Sequence, residues 1–379
     1  MARMVSAGSQ TCAARAANSM NAFPTTGRRT RRSLRALSTV LLALGLSPIA
    51  KAQTQGPAPA TGQTTASGPQ SVVSACPNWM GADSDALFWV SQFDDGTLHK
   101  MAGGGPIVGL GRGCSRMTPG SLQMDRDALF CTDGNWQNIL RMDKATGNQA
   151  LLRVAKPLRG PIRLVDDQVV LGYAEPNELN RLAALPKQGG PLKPLAAVAG
   201  AISTFDADRA GVVWLDQDGA IWSLPAQALS RPVTAAAPPA RKLADARVCS
   251  RAARMPTDCA LAIDADYIFL SVQPRCGSHD PCPKNTARIE RMPRGGGGWV
   301  SVAFSLRTVQ NMQVDGDNLT WADCLGGTIS RMPRKGGTTH AFQAPGACWA
   351  YAASDRELLW FNGGKKLDWS DCSLQRTKK

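Results

Sequence analysis

Histidine is nearly absent from this chain. Only His99, His279 and His340 occur among 379 residues. No Gly-x-Ser-x-Gly elbow, phosphate-binding glycine loop or His-Glu-x-x-His pair is present, so the common signatures of serine hydrolases, nucleotide phosphohydrolases and zinc peptidases are missing. No apolar run reaches the roughly 18 residues that a membrane-spanning helix needs. Charged residues make up only 19% of the chain and apolar ones 43%, which excludes a wholly disordered chain. Residues 1–52 contain no acidic residue at all.

That last absence explains most of the net charge of +14. Arg3, Arg15, Arg28, Arg29, Arg31, Arg32, Arg35 and Lys51 all lie in residues 1–52. Removing those eight from 43 basic residues leaves 35 against 29 acidic ones, a net +6. This is an ordinary solubility charge, without the dense basic stripe of a nucleic-acid binder. Arg28–Arg35 forms a positive region, Ala36–Ile49 an apolar stretch, and Ala50-Lys51-Ala52 a small-x-small cleavage pattern. This is the layout of a secretory signal peptide. We expect cleavage near Ala52, with translation starting at Met1 or Met20, and a periplasmic or extracellular product. Residues 53–70 hold no charge and little apolar bulk, so they read as a flexible leader.

Cleavage removes Cys12 and leaves ten cysteines, an even number that reads as disulfides in an exported chain. Ten cysteines permit roughly 945 pairings, so spacing alone does not choose among them.

Residues 71–379 repeat themselves. An Asp followed by a short apolar run recurs at Asp85, Asp127, Asp167, Asp208, Asp266, Asp317 and Asp355, at intervals of 42, 40, 41, 58, 51 and 38 residues. Such runs of aromatic and β-branched residues form strands. A second strand follows each of the first six, as in Ala287-Arg-Ile-Glu-Arg-Met-Pro293 or Gly327-Thr-Ile-Ser-Arg-Met-Pro333. Gly-rich turns such as Gly295–Gly298 come next, then a third short run such as Trp299–Phe304. A fourth run precedes each anchor, as in Ala260–Ile263. Four strands per unit at a period near 40 residues predict an all-β, seven-bladed propeller of antiparallel blades.

Unit six carries a resemblance. Val314-Asp-Gly-Asp-Asn-Leu-Thr-Trp-Ala-Asp323, followed by the Gly327–Gly337 strand and turn, is similar to the YWTD-type blade of low-density-lipoprotein-receptor propellers and their secreted bacterial relatives. Thr320 stands where that family has Tyr, and the other units lose the Trp-Asp pair. The resemblance implies the propeller fold. Function does not follow, because propellers host many activities.

Lettering the strands a to d from the axis outward puts b–c loops and d–a connections on one face. Cys76, Cys114, Cys259 and Cys348 precede or open strand a. Cys131 and Cys324 end strand b, and Cys276 and Cys282 lie in the b–c segment of unit five. All therefore map to one face, which favours pairing, since a disulfide needs Cα atoms within about 7 Å. We expect Cys114–Cys131, Cys324–Cys348 and a ring-closing Cys76–Cys372. Cys249, Cys259, Cys276 and Cys282 pair within unit five in an arrangement the sequence leaves open. Unit seven shows strands a to c ending near Trp369. Its outer strand comes either from Ser71–Ser74 or from Ser373–Lys379.

The chemistry is sparse. His99 and His340 fall on strand patterns of different blades, which suits structural roles. The segment Cys276-Gly-Ser-His279-Asp280-Pro-Cys282 permits a Cys/His zinc site, although a disulfide-closed loop is favoured in an exported chain. Asp-x-Asp pairs at 83/85, 125/127, 206/208, 264/266 and 315/317 offer oxygen ligands for calcium. None completes a calcium loop, and an Asp that caps the a–b turn explains the repetition better. No cofactor is required. Trp89, Trp214, Trp321 and Trp360 recur on strand b and read as blade packing.

These features predict a monomeric, non-catalytic exported propeller that binds a protein or glycan, with no nucleic acid and no membrane span. The recognition site falls on the disulfide-rich face near Arg275, His279 and Asp280. The alternative is a metal-dependent propeller enzyme. The resemblance brings it in, because some secreted relatives are lyases that inactivate streptogramins.

Overall fold

The computed structural model describes residues 72–73, 77–91, 96–103, 105–114, 122–175, 180–198, 201–232, 238–246, 249, 257–274, 286–323, 326–344, 351–353, 357–363 and 372–378. They form seven four-stranded antiparallel sheets. Blade 1 is Pro77–Ala82, Ala86–Ser91, Leu98–Ala102 and Ile107–Gly111. Blade 2 is Leu122–Met124, Ala128–Thr132, Asn138–Asp143 and Gln149–Arg153. Blade 3 is Leu158–Val165, Gln168–Ala174, Asn180–Pro186 and Lys193–Val198. Blade 4 is Ile202–Asp208, Gly211–Asp216, Ala220–Pro225 and Arg241–Asp245, with one helical turn, α1 (Gln227–Ser230), between its last two strands. Blade 5 is Thr257–Ile263, Tyr267–Pro274, Ala287–Pro293 and Val300–Leu306. Blade 6 is Gln310–Asp315, Asn318–Asp323, Thr328–Pro333 and His340–Gln343.

Blade 7 takes strands from both ends of the domain. Tyr351–Ala353, Glu357–Gly363 and Cys372–Lys378 supply strands a to c, and Val72–Val73 supplies strand d by pairing with Ser373 and Cys372. Cys372–Lys378 is therefore the third strand. This overturns both a strand c ending near Trp369 and an outer strand drawn from Ser373–Lys379. Chain continuity explains the difference: the hairpin partner of Glu357–Gly363 is the next strand in sequence, which leaves the outer edge for the N-terminal segment.

Strand b of each blade is a near-continuous apolar run, interrupted only by a buried Ser271 in blade 5 and a buried Thr320 in blade 6, because it is covered on both faces, where a half-exposed strand would alternate. In blade 4, Val212 and Trp214 pack against blade 3, whereas Val213 and Leu215 pack against blade 5. In blade 2, Ala128 and Phe130 face blade 3, while Leu129 and Cys131 face blade 1. Each of the seven buried apolar clusters spans two neighbouring blades, including blades 6 and 7 and the closure between 7 and 1. The core is thus a ring of seven interfaces. Trp89, Trp214, Trp321 and Trp360 each fill one of them, as expected for packing residues.

Turn chemistry completes the repeat. Asp83 Oδ1 accepts from the amides of Asp85 and Ala86 at 2.9 and 2.8 Å, and Asp125 and Asp264 cap their own a–b turns in the same way. The c–d turns of blades 3, 5 and 6 place two consecutive glycines at positive φ. The angles are 88° and 139° at Gly189 and Gly190, 93° and 134° at Gly296 and Gly297, and 95° and 138° at Gly336 and Gly337. That conformation excludes most other residues and accounts for the Gly-Gly pairs.

Candidate functional site

The disulfide-braced face comes into view at blades 2 and 5. Cys114, in the connection from blade 1, is bonded to Cys131 on strand b of blade 2, with Cα atoms 5.5 Å apart. Cys249, in the connection from blade 4, is bonded to Cys259 on strand a of blade 5 at 5.9 Å. This settles one pairing that spacing had left open. Both bonds lie where d–a connections meet the blade, on the predicted face. Cys76, Cys276, Cys282, Cys324 and Cys348 lie outside the described residues, as do Arg275, His279 and Asp280. Cys372 is described only as a strand residue.

Blade 5 is the most elaborated part of this face. Residues 275–286 separate its strands b and c. Gln273, near the end of strand b, accepts a 2.7 Å hydrogen bond at Oε1 from the Val309 amide in the connection to blade 6. On strand c, Arg288 pairs with Glu290 at 2.7 Å. Strand d carries a bulge: Ala303 pairs with Ile289 and Leu306 with Ala287, so two residues stand opposite one. A bulge of this kind re-aims a side chain. Here Phe304 is left 72% exposed, close to the end of the strand that reaches the disulfide face. Val300 lies farther along the same strand and is also largely exposed. An isolated aromatic in water is the kind of group that becomes an anchor when a partner covers it.

The opposite face, built from a–b and c–d turns, is closed by charge. Lys144 follows strand c of blade 2, and its ammonium lies 2.7 Å from the Asp83 carboxylate of blade 1. That side chain is only 8% exposed, and it also lies over the Phe88 ring. Lys187 of blade 3 repeats the arrangement with Asp125 at 2.8 Å. Arg294 of blade 5 grips Asp208 of blade 4 with both terminal guanidinium nitrogens, at 2.9 and 2.7 Å. Arg334 of blade 6 reaches Asp264 and Asp266 of blade 5, each at 3.0 Å. Burial opposes ionisation of Asp83 and Asp125. The hydrogen bonds from Lys144 and Lys187 and from the turn amides prevail, so both carboxyls sit below the usual carboxylate range. The Asp-x-Asp pairs at 83/85, 125/127, 206/208 and 264/266 are thus engaged by turn capping and by cations of the next blade.

Blade 4 lacks this rung, because Ala226 follows its strand c. Helix α1 covers the gap. The ammonium of Lys193, on strand d of blade 3, donates to the carbonyls of Leu229 and Arg231 at the end of that helix. Burial, followed by the nearby Arg231 charge, lowers the Lys193 pKa. Nearer the axis, Arg163 of blade 3 pairs with Asp206 of blade 4, whose other oxygen accepts from the Ile263 amide of blade 5 at 3.1 Å.

The two described histidines lie in different blades. His99 stacks on Trp89 with ring centroids 5.4 Å apart, and His340 opens strand d of blade 6. Among the described residues, no group of three His, Cys, Asp or Glu side chains is placed to hold a metal ion, and no helix is long and apolar enough to cross a membrane. Sequence reasoning missed Phe304 and the cation ladder. The ladder had a visible signal, a Lys or Arg directly after Met-Pro, Leu-Pro or Met-Asp at the end of strand c. Blade 4 also keeps more of the blade signature than expected. Asp216, two residues after Trp214, caps the b–c turn as Asp323 does after Trp321.

No protein-family profile matches the chain, and no curated protein matches it. Solved structures do. A puromycin-hydrolysing peptidase of Mycobacterium tuberculosis is similar at 13% identity and a TM-score of 0.57, over 82% of this chain and 51% of the peptidase. A streptogramin B lyase is similar at 8% identity and a TM-score of 0.53, covering 81% and 95%. The WD40 propeller domain of Doa1 is similar at 12% identity and a TM-score of 0.53, covering 81% and 96%. At these identities the likeness shows the propeller fold alone.

Proposed function

We propose that the protein is an exported, non-catalytic binding module with YWTD-like blades, and that its disulfide-braced face at blade 5 engages an anionic partner, a protein or a glycan. The observation that carries this reading is the Cys249–Cys259 bond, which fixes one edge of a blade whose bulged outer strand presents Phe304 to solvent. Two segments run from described strand ends on this face. Residues 247–256 contain Arg247, Arg251 and Arg254, and residues 275–285 contain Arg275 and Lys284. Asp280 is the one carboxylate among them. The excess of cations in these two stretches of sequence favours an acidic partner, by steering the encounter. Export is supported by the two disulfides, which persist in oxidising compartments. The capping Asp216 and Asp323 support the YWTD-like reading of the blades.

Retention on immobilised heparin, used as a polyanion probe, tests this. Combined reversal of Arg251, Arg254 and Arg275 to Glu is expected to abolish retention. Lys335→Glu, on the exposed c–d turn of blade 6, is expected to leave most of it. Equal losses from both variants would overturn the assignment to this face.

A further inference from the structure

Tryptophan packs between blades in this fold, with one exception. Of the eight tryptophans whose side chains are described, seven lie in or against the buried clusters between blades. The eighth, Trp136, belongs to none of the seven clusters. It is half-buried in the b–c turn of blade 2. That turn lies on the disulfide-braced face, where its Asp133 is bridged to Cys114.

The backbone at Trp136 has the conformation of a glycine, with φ at 60°. Its amide donates to the Asp133 carbonyl at 3.1 Å, and its carbonyl accepts from the Leu158 amide at 2.7 Å. Blade 4 builds the same turn with Gly219 at φ 82°, which donates to the Asp216 carbonyl at 3.2 Å and accepts from the Ala246 amide at 2.5 Å. Asp133 and Asp216 also cap the next amide, of Gln137 and Ala220, at 2.9 and 2.8 Å. In blade 6, Gly327 at φ 61° accepts from the Ala344 amide in the corresponding place. A bulky residue at positive φ is strained where glycine is not. Ala155, whose amide donates to the Gln137 carbonyl at 3.1 Å, is a second non-glycine residue in this conformation, at φ 55°. Strain of this kind persists where a side chain is kept for function.

The surroundings of the indole indicate what it would contact. Asn135 and Gln137 flank it and are exposed. The charges of the turn, and of residues 154–157 bonded to it, are already matched. Asp133 holds two turn amides with Oδ1 and the Asn138 carboxamide with Oδ2, and Lys156 pairs with Glu175 at 3.4 Å. An aromatic face flanked by neutral carboxamides suits a pyranose ring, whose C–H groups stack on the indole while its hydroxyls bond the amides. Rings with equatorial substituents offer the flattest C–H face. We propose that Trp136 is a stacking platform for a neutral glycan of β-1,4-linked glucose-type rings. It is a second contact site on this face, apart from the cationic segments of blade 5.

Calorimetric titration of the mature protein with cellohexaose and chitohexaose tests the platform. The unmodified protein is expected to bind at least one of them. Trp136→Gly is expected to weaken that binding by about tenfold or more. Its Tm is expected to hold or to rise by up to about 3 °C, because glycine adopts the positive φ without strain. Trp136→Phe keeps an aromatic face and is expected to retain most of the binding. Reversal of Arg251, Arg254 and Arg275 is expected to leave oligosaccharide binding intact, and Trp136→Gly to leave heparin retention intact, so the two sites fail separately. Four results would overturn the proposal: binding of neither oligosaccharide, unchanged affinity in Trp136→Gly, a clear fall in its Tm, or loss of its heparin retention.

Discussion

Asp83 and Asp125 each do two jobs with one carboxylate. One oxygen closes the a–b turn through backbone amides, and the other holds a lysine from the neighbouring blade. Local turn formation and blade-to-blade packing therefore depend on the same ionised group. The pH dependence follows from the depressed carboxyl pKa values. A group that is more acidic when folded adds stability above its unfolded pKa, and that stability is lost as pH falls through the folded value. The protein is expected to lose stability on acidification below about pH 4, where free carboxylates take up protons. The combined Asp83→Asn and Asp125→Asn variant should be less stable at neutral pH and show a flatter acid limb in denaturant titrations. Truncating Lys144→Ala strands Asp83 half-buried without its cation. A loss of about 2–3 kcal/mol in chemical denaturation is expected. The capping role was legible in sequence, because a residue type repeated at one position of most units points to the fold. The ion pairing was not, because each partner lies some 60 residues away, in the next unit. Only knowledge of which turns share a face joins them.

At the level of elements, strand b is the most informative. Its apolar run marked the blades, and the structure explains the run by burial on both faces. A residue such as Trp214 or Trp321 fills an interface between two blades, where no alternative packing is at hand. Trp321→Ala is expected to cost about 3–5 kcal/mol in equilibrium unfolding, a large-to-small core change that leaves a cavity. The outer strands were harder to read from sequence. They are short, half-exposed and irregular, and the bulge that extrudes Phe304 leaves no mark in composition. The disulfides divide in the same way. Cys114–Cys131 was readable because both residues flank one repeat. Cys249–Cys259 was not separable from its neighbours until the connection from blade 4 was placed. Removing Cys114 and Cys131 together by substitution with Ser opens a loop with a sequence separation of 17. It should cost about 3 kcal/mol in denaturation measured without reductant. Peptide mapping is expected to recover Cys324–Cys348 and Cys76–Cys372 as further bonds, with no free thiol in the mature chain.

For the molecule as a whole, the seven interfaces form a ring, and a ring is only as stable as its seam. Six of the blades are continuous in sequence, so each forms from local hairpins at little entropic expense. Blade 7 alone joins segments about 300 residues apart, Val72–Val73 against Cys372–Lys378. Closing so long a loop costs entropy that two pairs of residues scarcely offset. The seam therefore needs the apolar cluster between blades 7 and 1, where Leu374 and Phe361 meet Leu87 and Trp89. It is also where a Cys76–Cys372 bond would contribute most, about 4–5 kcal/mol by loop length. Two truncations separate the leader from the seam. Starting the mature chain at Ser71 removes the uncharged leader and is expected to leave Tm unchanged. Starting it at Ser74 removes the outer strand of blade 7 as well. Tm should then drop, and amide exchange should rise first in Cys372–Lys378 and next in Glu357–Gly363, ahead of the other six blades. If the second truncation left both Tm and the exchange pattern intact, the outer strand would be ornamental. Closure would then rest on side-chain packing between blades 7 and 1 alone.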